Sequence, residues 1–463
     1  MKPDERPTKK VLMIARAFPP FRSVGHSIRV VKFIKYLPAF GWLPSVLTID
    51  DNSEYEADRK QGSETLLAEI PQDVSIYRTA AGEPSWAFLE KERAFGRRNW
   101  LTRAIVKIFG GGRRWTFRNV LLPDRFLLWL PFALQRGRHI VRSERIDVIF
   151  ATCPPYSVTL IGAFLKLVTG KRLILDFRDD WIDTPWYHSR PAIIRLVHRT
   201  MERWVVKMAD KVVLVTELSK NGFIGRYPRK SPEDFVFVSN GCDLDDFAGL
   251  EAPPSVSSKF TIVHAGALND TPPWRRNLAG LFQALQNLLR EYPELSEKLT
   301  LVFAGGLPQV QQRLAHDMGL SGLIREVGHL PHGEVLRLLK SADLLLAVNY
   351  ENWSTIIPAK IYEYWATGGP PILLLSCPGA AADLVAQHNL GFTVDPCDSD
   401  GIQRVIWNVY CQSRTATSLR VSTNGIALYD RKALTHKLAR VLSTIAERIE
   451  QPRSVTMAAI SND

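Results

Sequence analysis

No two cysteines in this chain are placed to work together. The five, Cys153, Cys242, Cys377, Cys397 and Cys411, are scattered through 463 residues without a CxxC pair, which excludes a zinc ribbon and argues against a disulfide framework. A long apolar run is also missing. The most hydrophobic window, FLLWLPFAL at 126–134, falls well short of the ~20 residues that span a bilayer, and Pro131 interrupts it. The opening MKPDERPTKK carries charge up to the first strand-like segment and lacks the apolar core and cleavage site of a signal peptide. Export by that route is not expected, and a reducing cytoplasm is. There is no GxGxxG fingerprint, which sets aside a nicotinamide enzyme. No short-period repeat and no collagen-like or disordered bias is visible.

What is present is a globular composition, 46% hydrophobic and 23% charged, in a chain too long for one compact core. Two domains of roughly 200 residues are expected. Charge is unevenly placed. Residues 91–145 hold fourteen Lys/Arg against Glu92, Asp124 and Glu144, a net +11 that nearly accounts for the +12 of the whole chain. Phe95, Trp100, Phe109, Trp115, Phe117, Phe126 and Trp129 lie among these arginines. Such a mixture suits an anionic bilayer with aromatic rings at headgroup depth. A nucleic-acid groove uses similar residues, and a solvated basic face is the plain alternative. The reading adopted is an anionic membrane surface, with no nucleic acid.

Along the chain, strand-like runs alternate with helical periodicity. VLMIA at 11–15 is followed by a loop and by a helix with Ile28, Val31, Ile34 and Leu37 on one stripe, ended by Pro38 and Gly41; PSVLTID then reads as the next strand. DVIFA, RLILD and KVVLVT continue the pattern, and after the Gly/Pro/Ser-rich 239–258 it restarts with FTIVHAG, LTLVFAG, IREVGH, DLLLAV, PILLL and GFTV. The expected division is a Rossmann-like domain at 1–242, a linker at 243–258 and a second Rossmann-like domain at 259–430. A helix at 431–450, with packing back on the first domain one option, and a flexible tail at 451–463 complete the chain.

In this order, the runs TCPPYSVTLIGAFLKLVTGKRLILDFRDDW, FVSNGCDLDDF, FTIVHAG, VGHLPHGEVLRLLKSADLLLAV and IPAKIYEYWATGGPPILLL resemble glycosyltransferase family 4. They are most similar to the branch that serves bacterial surface-polysaccharide assembly. The likeness runs from about 11 to 449 and is poorest between 55 and 145. It implies an α/β, GT-B fold: two doubly wound Rossmann-like domains facing across a cleft, the acceptor side on the first and a nucleotide-sugar donor on the second. A UDP-sugar rather than a GDP-sugar is the expected donor, and no metal or separate cofactor is expected.

Residue by residue, the resemblance places Glu363 on the donor ribose, as a carboxylate with two acceptor oxygens can grip two hydroxyls. It puts Lys360 at the diphosphate end, on a helix opened by Pro358. Taken alone, Lys360 and Glu363 three apart on a helix are a surface salt bridge. Gly25, in the loop FPPFRSVGHS, matches a glycine that lets backbone approach the donor, or is a turn glycine. Gly266 ends FTIVHAG and the cationic clamp follows it, with Arg276 where relatives have lysine and Arg275 compensating for Ala267, which replaces a family arginine. His329 and Leu330 lie where the base is read, and His332 begins a helix near the nucleotide or caps it. Arg178 and Asp179 occupy a catalytic His-Asp position of many relatives, or form a structural lattice at a strand end. His26, Arg29, Asp176 and Trp181 are expected on the acceptor side. A family glutamate eight positions before Glu363 is Thr355 here, which opens the question of sugar recognition; Glu351 and Asn352 are neighbours able to substitute. Asp243, Leu244 and Asp245 spell a DxD, but turn and cap chemistry explains them.

The expected reaction moves a sugar from a nucleoside diphosphate to a hydroxyl of a lipid-linked or growing glycan, with retention, at the cytoplasmic face of a membrane. A nonhydrolysing sugar-nucleotide epimerase and a noncatalytic glycan-binding or assembly subunit are the rival readings.

Overall fold

A computed structural model describes residues 9–20, 24–50, 63–80, 121–250, 259–268, 276–415 and 419–450. Much of the basic stretch 91–145, part of the expected linker and the expected tail therefore lie outside the described residues.

Within them, two all-parallel sheets form. The first holds β1 (Lys9–Ile14), β2 (Trp42–Asp50), β3 (Ser75–Ala80), β4 (Val148–Cys153), β5 (Arg172–Phe177), β6 (Lys211–Leu214) and β7 (Phe235–Phe237), in the order β3-β2-β1-β4-β5-β6-β7. The second holds β8 (Phe260–Ala265), β9 (Leu299–Ala304), β10 (Ile324–Gly328), β11 (Leu344–Val348), β12 (Ile372–Leu375) and β13 (Gly391–Val394), in the order β10-β9-β8-β11-β12-β13. Helices cover both faces of such sheets, so the central strands read as near-continuous apolar runs. Every residue of β4, β11 and β12 is buried. In each sheet the order reverses beside the first strand, at β1/β4 and at β8/β11. Loops leave in opposite directions there and open a crevice at the carboxyl ends.

Two strands were not named from the sequence. β3 is half-exposed along its length and β7 has three residues, so neither has a distinctive apolar run. Both are edge strands.

The helix Val24–Tyr36 buries Val30, Val31, Phe33 and Ile34. It passes into a tight turn, Leu37–Phe40, that carries Pro38 and is closed by Gly41 in the left-handed conformation, φ 80°. The chain crosses between domains twice, side by side: Cys242 N donates to Tyr429 O at 3.2 Å and Arg431 N to Cys242 O at 2.9 Å. A Cβ on Gly241 would run into the Tyr429 carbonyl, so glycine permits this approach. The last helix, Arg431–Glu450, then places Leu434, Leu438, Leu442 and Ile445 in the core of the first domain with Val31, Ile34 and Leu37. Trp42 Nε1 also donates to Ser443 Oγ at 3.2 Å. The first domain is thus closed by the end of the chain. The two sets of strand ends meet where the Thr216 hydroxyl, just past β6, donates to Thr355 O at 2.9 Å.

Candidate functional site

On the second domain, β8, β9 and β10 run out into Gly266, Gly305 and Gly328, with φ of 107°, 118° and 68°. Gly266 N donates to Ala304 O, and Gly305 N to Gly328 O at 2.7 Å. A Cβ on Gly305 would press on the Gly266 backbone. The result is a floor of bare backbone at the carboxyl ends of three neighbouring strands. Two cations bracket its centre: Lys360 Nζ donates to Ala265 O, and Arg276 Nη1 donates to Ala267 O at 2.9 Å. The Arg276 guanidinium lies 4.4 Å from the centre of the Tyr350 ring, and its Nε is buried without a partner. Neither cation is ion-paired among the described residues. Burial lowers the Lys360 pKa to about 8, with Arg276 pushing the same way and Glu363 opposing. Two cations beside a floor of bare backbone are an arrangement that suits an anion.

The helix Lys360–Ala366 is positioned by its apolar face, on which Ile361, Tyr362, Tyr364 and Trp365 are buried. The Tyr364 hydroxyl accepts from Ala265 N at 2.9 Å and donates to Leu346 O at 3.3 Å, tying the helix to the end of β8 and the middle of β11. Glu363 is left half-buried on the other side, with no hydrogen-bond partner among the described residues. The surface salt bridge to Lys360 does not form, because the ammonium is drawn to Ala265 O instead. Pro358, half-buried, precedes the helix, and its carbonyl accepts from Ile361 N at 3.0 Å. His329 is exposed and Leu330 half-buried just past Gly328. His332 starts the helix His332–Lys340 and sits 3.4 Å from Asp246, whose hydrogen bond raises its pKa. Arg275 lies outside the described residues.

The acceptor side differs from expectation. Arg29 grips Asp176 through Nε and Nη2 at 3.2 and 2.9 Å and donates to Ser239 O and Val238 O at 2.6 and 2.8 Å, while Thr152 Oγ1 donates to Asp176 at 2.7 Å. Arg29, Asp176 and Trp181 are all buried. Trp181 stacks on Tyr156 at 4.7 Å and donates from Nε1 to His198 Nδ1 at 2.8 Å. These three are therefore corrected from acceptor ligands to supports of the strand end, since their polar atoms are consumed inside the domain. Gly25 is the second residue of the helix Val24–Tyr36, in the first turn, where backbone N–H groups have no intrahelical partner. The His26 side chain lies outside the described residues.

Arg178 is held by the carbonyls of Cys153 and Pro154 at 3.2 and 2.5 Å. Asp180 is buried against the Ser219 hydroxyl. Between them, Asp179 alone keeps appreciable surface. Surrounding protein desolvates its carboxyl and pushes the pKa up to about 6, against the pull of Arg178. If Asp179 orients an acceptor hydroxyl as a carboxylate, turnover rises with pH through about 6. That inflection disappears in Asp179→Asn, as a pH–rate profile of both proteins checks.

The DxD-like Asp243 accepts from Lys32, Lys35 and Tyr36 at 2.6, 3.0 and 2.8 Å, and from Asp245 N at 3.3 Å as a cap. Among the described residues, no three or more His, Cys, Asp or Glu side chains gather as a metal ion requires. Three contributors escaped the sequence reading: Gly305, Tyr350 and Tyr364. The first had a signal, since HAG at 264–266 and FAG at 303–305 end their strands alike. The aromatic pair had none, because each acts through a partner far along the chain.

Residues 25–241 match the family model of the glycosyl transferase 4-like domain. The glycine floor and its cations lie beyond that span. No curated protein matches the sequence. Among solved structures, sucrose-phosphate synthase from Thermosynechococcus elongatus is similar at 13% identity and TM-score 0.59, over 96% of this chain and 98% of that one. An α,α-trehalose 6-phosphate synthase from Burkholderia multivorans is similar at 12% identity and TM-score 0.62, over 98% and 99%. A UDP-N-acetylglucosamine 2-epimerase is similar at 12% identity and TM-score 0.51, over 97% and 100%. At such identities the likeness establishes the fold. This is a GT-B protein, two Rossmann-like domains facing across a cleft.

Proposed function

We propose that the protein transfers a sugar from a nucleoside diphosphate, UDP in preference to GDP, to a hydroxyl of a lipid-linked or growing glycan. The observation that carries this reading is the pair Lys360 and Arg276 bracketing Gly266, with the unpaired Glu363 one turn along the same helix. A diphosphate on the glycine floor meets both cations, and the ribose reaches Glu363. As the bond from the anomeric carbon to the phosphate oxygen breaks, charge develops on the departing diphosphate where the cations already stand. The acceptor oxygen bonds to the anomeric carbon on the same face, and its proton passes to the leaving phosphate. Configuration is retained and no protein nucleophile is needed. Asp179 orients the acceptor hydroxyl, with Arg178 beside it. The match of 25–241 to the glycosyl transferase 4-like domain supports the same reading.

The place proposed is the cytoplasmic face of a membrane, in the surface-polysaccharide pathway class. No described helix is long and apolar enough to cross a bilayer. The described end of the basic stretch offers exposed Phe132, Arg136, Arg138 and Arg142 on the helix Leu130–Ser143, the mixture that suits an anionic surface.

The epimerases that share the fold motivate a second reading, in which a UDP-sugar is converted without an acceptor. Acceptor-dependent release of free nucleoside diphosphate separates the two. Glu363→Ala is expected to weaken UDP binding by about 1.5–3 kcal/mol, the worth of a charge-assisted hydrogen bond, with the fold intact. Calorimetric affinity unchanged in a folded variant removes the ribose assignment.

A further inference from the structure

The segment after β5 serves two places. Its first residues, 178–180, shape the cleft side, and its continuation walls a separate cavity of about 250 Å³ against the helices Ala192–Met208 and Glu217–Arg226. Arg199, Arg203, Arg226, His188, Tyr187 and Asp183 line it. Arg226 is fixed in place: it donates to Glu202 at 2.9 Å and pairs with Asp183. Glu202 is fully buried behind it, accepting also from the Tyr227 hydroxyl and from Ile182 N at 3.1 Å. Arg199 and Arg203 are exposed and have no hydrogen-bond or ion-pair partner among the described residues. The cavity thus carries more cationic than anionic charge, with two of its guanidiniums uncommitted.

The same helix continues the surface. Ile193 and Leu196, 65% and 57% exposed, precede Arg199 and Arg203 at three- and four-residue steps on one face. Apolar side chains giving way to unpaired arginines within two turns match the boundary between acyl chains and phosphates. Burial pushes the Glu202 carboxyl up to about 8, which lessens the negative charge that would oppose an incoming phosphate.

We propose that this cavity binds the phosphate headgroup of an anionic lipid, with Ile193 and Leu196 entering the apolar layer beside it. The site lies outside the donor floor and requires no glycosyl transfer. Phosphate chemistry alone also fits a soluble ligand, and the exposed apolar pair decides for the lipid.

Co-sedimentation with phosphatidylcholine vesicles, with and without phosphatidic acid, tests this on the full chain. It is run in the native sequence and with Arg97, Arg98, Arg113 and Arg114 changed to glutamine, so that the other basic stretch does not mask the effect. Expected is partition that needs phosphatidic acid and falls about tenfold or more in Arg199→Gln/Arg203→Gln, with thermal midpoint and UDP affinity unchanged. Ile193→Ser/Leu196→Ser is expected to lower partition while leaving in place the pyrophosphate binding measured calorimetrically with the donor floor saturated by UDP. Unchanged partition in the folded arginine variant overturns the site. Pyrophosphate binding that persists in saturating UDP and is lost in Arg199→Gln/Arg203→Gln, without vesicle partition of the native chain, overturns the lipid assignment. Because UDP affinity is read separately, failure here is distinguishable from failure of the glycosyltransferase reading.

Discussion

Replacing Lys360 with methionine is expected to lower turnover about 10²–10³-fold, the usual cost of removing one preorganised group from developing charge, while the fold persists. A second readout is more specific. In the free protein the Lys360 pKa is lowered to about 8, so near pH 8 about half of the molecules carry a neutral amine there. A diphosphate on the glycine floor favours the ammonium and raises that pKa. Binding of UDP at pH 8 should therefore take up roughly half a proton, falling to about a tenth at pH 7. Calorimetry in two buffers of different ionisation enthalpy measures this, and persistence of the uptake in Lys360→Met overturns the assignment. The same group has a stability signature. Unfolded, the lysine holds its proton to 10.5, so between about 8 and 10.5 the unfolded state binds more protons and this group's contribution to stability rises with pH. Lys360→Met removes that slope.

Gly266→Ala is the second large effect expected. The residue sits at φ 107°, where a Cβ is strained, and the added carbon would land on the Lys360 ammonium. The strain alone is of order 1–3 kcal/mol, visible as a lowered thermal midpoint. Donor affinity should fall with it, because the ammonium must leave Ala265 O. A double-mutant cycle isolates that route: in a Lys360→Ala background, Gly266→Ala should retain its cost in stability and lose most of its cost in UDP affinity. Additive losses in affinity would mean that the glycine touches the donor directly.

The alternation of strands and helices and the two Rossmann-like sheets were legible in the sequence. Central parallel strands are covered on both faces, and runs such as VIFATC and ILLL therefore carry little but apolar side chains. β3, part-exposed along its whole length, and β7, only three residues long, carry no such run and went unnamed. The positions of Lys360 and Glu363 on one helix were legible too, from their spacing. Their use was not. Lys360 finds its carbonyl 95 positions away and leaves Glu363 unpaired. Arg29, chemically suited to an acceptor, is consumed by Asp176 across 147 positions. In the run Arg178, Asp179, Asp180, three charged residues look alike on the page. Only packing leaves the middle one accessible and raises its pKa, because desolvation depends on every element that surrounds a group and not on its neighbours in sequence.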